Sequence, residues 1–330
     1  MAQNDSPHSP PQHSSSGPAL LGVDLGSNHI RIGAVDHDGR TLAFRREPYS
    51  DQSRENARAL ADLTLTVARQ MIEEHTATTP VASIGVAFPG LVDQSNQRVV
   101  DIAHLPSLAR IDLHREFTDA FGLPVHFDNN ANAAAFAEKM LGVGKGVDDF
   151  LYLHIGANVS AGLALGGALQ HGKSGLAGAI GQIQIYVEHL GESVSLDTMA
   201  SAESIVRRTQ DRLRRDKTSS LSRLGAMGGF NYDDIIAAAH GGDDLAKMML
   251  ERTGLFIGIA VADVMSLLNL GMIAIGGAPA GRPFLVPAIA AEARQRVSEA
   301  TFNDCRIVAA EIGAEASVIG AALLSHPHSR

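Results

Sequence analysis

Three short glycine turns are the residues of this sequence best suited to chemistry: Gly26-Ser27-Asn28, Gly156-Ala157-Asn158 and Gly276-Gly277. A tight turn between strands points several backbone N–H groups into one place, which is a common way to hold phosphate. Taken singly, each is an ordinary structural turn. None of the three runs on into Lys-Ser or Lys-Thr, so none reads as a Walker loop, and none has the spacing of a dinucleotide fingerprint. Spread over one chain, they fit a nucleotide cleft of another kind. A second chemical feature is basic. Arg207, Arg208, Arg212, Arg214 and Arg215 crowd one stretch, followed by Lys217, with Asp211 and Asp216 among them. It reads first as a solvated helix face and second as a DNA- or phosphate-binding patch. No aromatic residue interleaves with it. His8, His13, His326 and His328 lie in the tails and are not expected to form a metal site.

The elements that must position the turns repeat. Residues 20–25 form an apolar run broken by Asp24, and residues 30–35 read as a returning strand. Asp38-Gly39 is a hairpin turn before a third strand at 41–44. The same unit recurs at 150–155 and 161–165, ending at Gly166-Gly167. Gly26 and Gly156 are 130 residues apart, as are Asn28 and Asn158. Two such turns in register imply a duplicated architecture, with two α/β lobes facing a cleft. Between them, Ala57, Leu60, Leu63, Val67 and Met71 predict a helix over 54–72, with Ser53 as its N-cap. A strand over 81–88 stops at Pro89-Gly90, and a short strand at 125–127 leads into an alanine-rich helix over 131–141. Further strands are predicted at 183–187, 272–275 and 306–310. Further helices are predicted at 202–215, 233–240, 283–296 and 317–325, with one or two more within 243–270. Residues 188–195 read as a polar connection.

The chain has 330 residues, 45% of them hydrophobic, which is enough to bury a core without metals or disulfides. The lone Cys305 excludes a disulfide framework within the chain and a cysteine-based zinc cluster. Lys plus Arg is 27 and Asp plus Glu is 36, giving a net charge of -9, a poor global match to a polyanion. Residues 1–19, broken by Pro7, Pro10, Pro11 and Pro18, are expected to be a disordered tail, and residues 326–330 a second one. No signal-peptide pattern and no apolar run of membrane length occurs, so a cytoplasmic location without membrane contact is expected.

Several segments together resemble the ROK family (repressors, open reading frames and sugar kinases) of the actin-like ATPase superfamily. They are residues 21–28, Ile84 through Pro89-Gly90, Asn129-Asn130-Ala131-Asn132-Ala133-Ala134, residues 156–162, Ala177-Gly178-Ala179-Ile180-Gly181-Gln182, and Ile275-Gly276-Gly277. Their order and spacing fit across roughly residues 20–325. The resemblance implies an α/β chain of two ribonuclease-H-like lobes around a central cleft. The N-terminal lobe is expected over 20–128 and the C-terminal lobe over 129–325, with the last helix packing back on the first lobe. It further implies a homodimer and a sugar-like ligand bound by Asn129, Asn130, His104, Gln182 and Asp197. If nucleotide binding is kept, the resemblance assigns ATP to Asp24, Gly26, Ser27, Asn28, Gly156, Ala157, Asn158, Gly276 and Gly277, with Mg²⁺ near Asp24.

The sequence departs from that family where chemistry sits. Its kinases read Asn-Asp-Ala-Asn at the third segment, and the Asp is the base that deprotonates the sugar hydroxyl. Here the position is Asn130, and a carboxamide does not accept that proton usefully. Asp128, two residues away, is the substitute to consider. The family's Gly-Thr-Gly turn is Gly156-Ala157-Asn158, its first-turn Thr is Asn28, and its Gly-Glu-Ile-Gly-His segment is Gly178-Ala179-Ile180-Gly181-Gln182. The cysteine knot is missing, so no structural zinc is expected. About 19 residues precede Leu20, too few and too proline-broken for the family's DNA-reading domain, so no direct DNA binding is expected. The expected function is that of a non-catalytic, regulatory sugar-binding protein. The alternative is an ATP-dependent kinase of hexose or N-acetylhexosamine type that uses Asp128 as base.

Overall fold

The computed structural model describes residues 17–26, 28–50, 55–76, 79–102, 105, 107–188, 190–215, 218–278 and 281–326. Ser53 and His104 lie outside the described residues.

The first half runs β1 (Ala19–Leu25), β2 (His29–Val35), β3 (Thr41–Pro48), α1 (Ala57–Thr76), β4 (Val81–Phe88), β5 (Gly90–Asp93), β6 (Arg98–Ile102), α2 (Leu113–Phe121), β7 (Val125–Asn129) and α3 (Asn130–Leu141). The second runs β8 (Phe150–Ile155), β9 (Val159–Leu165), β10 (Ala168–Leu169), β11 (Gln184–Val187), β12 (Glu192–Ser195), α4 (Leu196–Ala200), α5 (Ala202–Leu213), α6 (Leu221–Ala226), α7 (Tyr232–His240), α8 (Asp244–Leu268), β13 (Met272–Ile275), α9 (Arg282–Arg296), α10 (Glu299–Asp304), β14 (Arg306–Ala309) and α11 (Ala316–Leu324).

Each half builds one sheet, and the two sheets share a strand order. Among the described residues the first is β3-β2-β1-β4-β7 and the second β10-β9-β8-β13-β14. In both, the three hairpin-linked strands are antiparallel and the last two add in parallel. The central strands are buried on both faces, which explains why β1 and β4 read as continuous apolar runs.

Two helices meet between the sheets. α11 lies on the face of β1 and β4, and α3 on β8 and β9. α11 approaches both α3 and β4 closely through small residues. A Cβ on Gly320 would come within 1.7 Å of the Ala133 carbonyl oxygen, and one on Gly85 within 1.8 Å of the Ala321 oxygen. The alanine run of α3 is therefore a packing requirement as well as a helix preference. Glu138, fully buried on α3, ties the same region together. Its Oε1 accepts from the backbone N–H groups of Glu311 and Ile312, both at 2.8 Å, just ahead of α11.

The structure corrects several local expectations. The segment at 188–195 is not simply a connection, because Glu192–Ser195 pairs with β11 in an antiparallel ribbon. Of the one or two helices expected within 243–270, the structure has one, Asp244–Leu268, stopped by Asn269 in the left-handed region at φ 47°. α2 was not anticipated. Its signals are ordinary ones: Asp112 accepts from the Arg115 N–H as N-cap, Gly122 ends it at φ 62°, and Leu113 and Phe117 turn inward.

Candidate functional site

The turn after β1 and the turn after β8 face each other across the cleft. Asp24 is fully buried near the end of β1. Arg31 Nη1 donates to its Oδ2 at 2.8 Å, and Ser317 Oγ donates to the same oxygen at 2.6 Å. Its Oδ1 is buried with no hydrogen-bond partner. Gly26, Asn28 and Ala157 line a cavity of about 520 Å³ together with Arg31, Arg46 and Asp233. Gly156 and Gly277 line an adjoining cavity of about 260 Å³ with Arg31, His154 and Ser317. The structure thus gathers Gly26, Asn28, Gly156, Ala157 and Gly277 around one stretch of the cleft, beside Asp24. Gly276 lines neither cavity and sits against the Tyr152 ring. Ser27 lies outside the described residues. His154 is held neutral here. Desolvation lowers its pKa to about 4, and the charges of Arg31 and Arg282 act the same way against the opposing pull of Asp24.

The sugar-side residues form a second group. Asn129 caps α3, its Oδ1 accepting from the Ala131 N–H at 2.7 Å and its Nδ2 donating to the Gly90 carbonyl. With Gln182 and Asp197 it lines a small cavity of about 90 Å³, joined by Asn158, Ser160 and Asp101. Asn158 therefore sits on the sugar side rather than with the other nucleotide-turn residues. Asp197 Oδ1 accepts from the Val159 N–H at 2.6 Å. A Cβ on Gly181 would fall 2.4 Å from that carboxylate, so the glycine leaves the room Asp197 occupies. Asp101 was missed from sequence. It stands on β6, opposite Leu91 in the β5–β6 hairpin. Its only local signal is an acid three residues ahead of His104-Leu105-Pro106.

Asn130 begins α3, is 8% exposed, and its Oδ1 is buried without a partner. It does not line the cavity. Neither does Asp128, which is 1% exposed. Asp128 Oδ2 lies 2.8 Å from His171 Nε2, and its Oδ1 accepts from Asn132 Nδ2 at 2.9 Å and from the Asn129 N–H at 2.7 Å. His126 Nε2 is 3.9 Å away. Burial alone would raise the pKa of Asp128. The nearby His126 ring and the hydrogen bonds from His171 and Asn132 outweigh it and hold the carboxyl at about 2. Such a carboxylate is fully engaged in tying β7, α3 and the segment after β10 together.

The sequence also holds one Gly-Lys-Ser triplet, outside the three turns, that matches a phosphate loop. Residues 167–174 have the Gly-x₄-Gly-Lys-Ser spacing. The structure places them in the turn before β10, in β10 and in the loop beyond it, with no helix following Ser174. A Walker loop depends on that helix N-terminus, so the spacing has no such role here.

Comparison with known proteins agrees with this layout. The family model described as "ROK family" matches residues 20–328. The chain is 27% identical over 311 residues to a glucokinase of Halalkalibacterium halodurans, covering 91% of this chain and 92% of that protein. Its structure is similar to that of a ROK family glucokinase from Streptomyces griseus in complex with glucose and AMPPNP, with a TM-score of 0.77 and 25% identity over 93% of this chain and 98% of that one. It is also similar to a ROK family transcriptional regulator described as a homologue of the E. coli MLC protein, with a TM-score of 0.80 and 28% identity over 94% and 78% of the two chains. The two-lobe architecture is the actin-like ATPase fold of these sugar kinases.

Proposed function

The chain belongs to the ROK family, and on that premise we propose that it binds a sugar or related small ligand between its lobes without phosphorylating it, as a regulator. The observation that carries this reading is the engagement of Asp128. Asn130 offers an amide where the family's kinases have their base, and the nearest carboxylate is spent on His171, Asn132 and the Asn129 N–H. A carboxyl held at about 2 is also a weak base for a sugar hydroxyl. Asn129, Gln182, Asp197 and Asp101 supply donors and acceptors for ligand hydroxyls. The similarity to a ROK transcriptional regulator supports the regulatory part.

A second reading, an ATP-dependent sugar kinase, is favoured by one feature. Asp24 Oδ1 is a buried carboxylate oxygen without a partner, the kind of group that suits Mg²⁺ or its water. A single carboxylate plus nucleotide phosphates is a usual Mg²⁺ environment, so the site fits the ion. Bound there, Mg²⁺ would supply charge neutralisation for the phosphates. Arg31 already supplies a fixed positive charge at the other oxygen. In this reading Asp101, which lines the sugar-side cavity, is a better candidate base than Asp128.

Titration calorimetry with a panel of hexoses and N-acetylhexosamines, run beside a coupled ADP-release assay with ATP·Mg²⁺, separates the two. The expected result is saturable sugar binding without ADP release above background. Turnover on the ordinary enzymatic scale, roughly 1–10³ s⁻¹, overturns the regulatory reading. Its loss in Asp101→Asn or in Asp128→Asn would then identify the base.

A further inference from the structure

The arginine-rich stretch forms a walled groove away from the cleft. Arg207, Arg208 and Arg212 on α5, Arg215 just beyond it and Arg252 on α8 surround a cavity of about 490 Å³, with Asp211 as its one acidic lining residue. The remaining lining is largely apolar: Leu190, Met199 and Met249. Among the described residues Asp211 pairs only with Arg214, at 3.8 Å, and none of the five groove arginines forms an ion pair within 4 Å.

Arg208 sets this groove apart from a solvated helix face. Its Nη2 donates to Thr253 Oγ1, and its guanidinium stacks 5.2 Å from the Phe256 ring centroid. Its Nε is buried without a partner. A guanidinium fixed in packing, short of one hydrogen bond and surrounded by like charges, is costly unless an anion completes it. Burial first, and then the neighbouring charges of Arg252 and Arg207, lower its pKa to about 10, so it keeps its proton at neutral pH. Arg207 is likewise positioned, its Nη2 donating to the Thr198 carbonyl at 2.9 Å.

We propose that this groove binds a small organic phosphate, at a site separate from the inter-lobe cleft. Guanidinium forks match phosphate oxygens two at a time. The volume lies in the range of small-molecule pockets, and the apolar floor suits the carbon body of a phosphate ester. A polyanion is disfavoured by the walls of the groove and by the net charge of -9 on the chain.

The test is calorimetry on the full chain with inorganic phosphate, pyrophosphate and glucose 6-phosphate, for the wild type, the double variant Arg212→Gln/Arg252→Gln and the cleft variant Asn129→Ala. Both substituted arginines are exposed, so the double variant is expected to melt with the wild type. Saturable binding of at least one probe, weakened about tenfold or more in the double variant and unchanged in Asn129→Ala, is the expected result. Affinity weaker than about 1 mM for all three probes overturns the proposal. So does equal binding by the double variant, loss of binding in Asn129→Ala, or binding of a duplex DNA fragment without binding of any probe. Failure here leaves the sugar reading of the cleft standing, because that reading rests on other residues.

Discussion

At the scale of single residues, Asp128 and His154 are the two titrating groups whose surroundings decide the most. Asp128→Asn keeps the shape but replaces one of the two carboxylate oxygens by an NH₂ group, so three donors, from His171, Asn132 and the Asn129 N–H, face a single neutral oxygen. The expected cost is about 2–4 kcal/mol in denaturant unfolding. The wild-type contribution is present above the unfolded pKa near 3.8 and is lost as the pH falls through about 2, so its stability falls with acidification in that window. The variant should lack that slope. His154 behaves differently. The unfolded chain takes up a proton below about 6.5 that the folded chain refuses until about 4. Stability should therefore decline from pH 6.5 to 4 and flatten in His154→Phe, as read from thermal melts across that range. The sequence showed that residue 130 lacks an acid, because that is a matter of residue type. It could not show what residue 128 does, because His171 is 43 positions away and reaches it only through the fold. Asp101 was hidden for the same reason, since a hairpin closure brings it to the cavity.

At the scale of elements, the strands and helices with strong apolar patterns were legible, and the short elements α2 and β12 were not. The glycine turns and the repeated strand unit are local patterns, and both halves fold as they suggest. β12 was invisible because Glu192-Ser193-Val194-Ser195 lacks clear alternation, and only its register with Ile185 and Tyr186 makes it a strand. α4 is a single turn with two neighbours. Its Asp197 faces the sugar-side cavity, while Thr198 and Met199 face the arginine groove. α3 depends on Glu138, whose carboxylate accepts the Glu311 and Ile312 N–H groups and, at 3.2 Å, that of Val143. Glu138→Ala leaves three backbone donors to find other partners. It should cost about 3–5 kcal/mol by chemical denaturation, with Glu138→Gln recovering part of the loss.

At the scale of the whole molecule, the proposed sugar reading predicts that the lobes part to admit the ligand. The cavity on the sugar side, at about 90 Å³, is the smallest of those lined by the candidate site residues. It is lined by Asp101 on β6 and Asn129 at the end of β7 from the first half of the chain, and by Gln182 and Asp197 from the second. Asp101→Cys/Gln182→Cys removes two proposed ligand contacts and is therefore compared with itself: the sugar binding it retains unlinked should vanish when the two thiols are joined by a short linker and return when a reducible linker is cleaved. Cys305, 6% exposed, is too buried to compete for the reagent. Undiminished binding in the linked form would mean that the ligand enters without lobe motion.

The seat of α11 has a consequence for biosynthesis. Gly22 and Gly85 in the first lobe are shaped to the backbone at Val318 and Ala321, and Ser83 shares a hydrogen bond with Ser325. A ribosome delivers those partners some 240 to 300 positions later. The early half must therefore wait, with one flank of its sheet uncovered, until α11 has left the exit tunnel. Nascent chains stalled before residue 316 are the ones that should depend on a chaperone to stay out of aggregates.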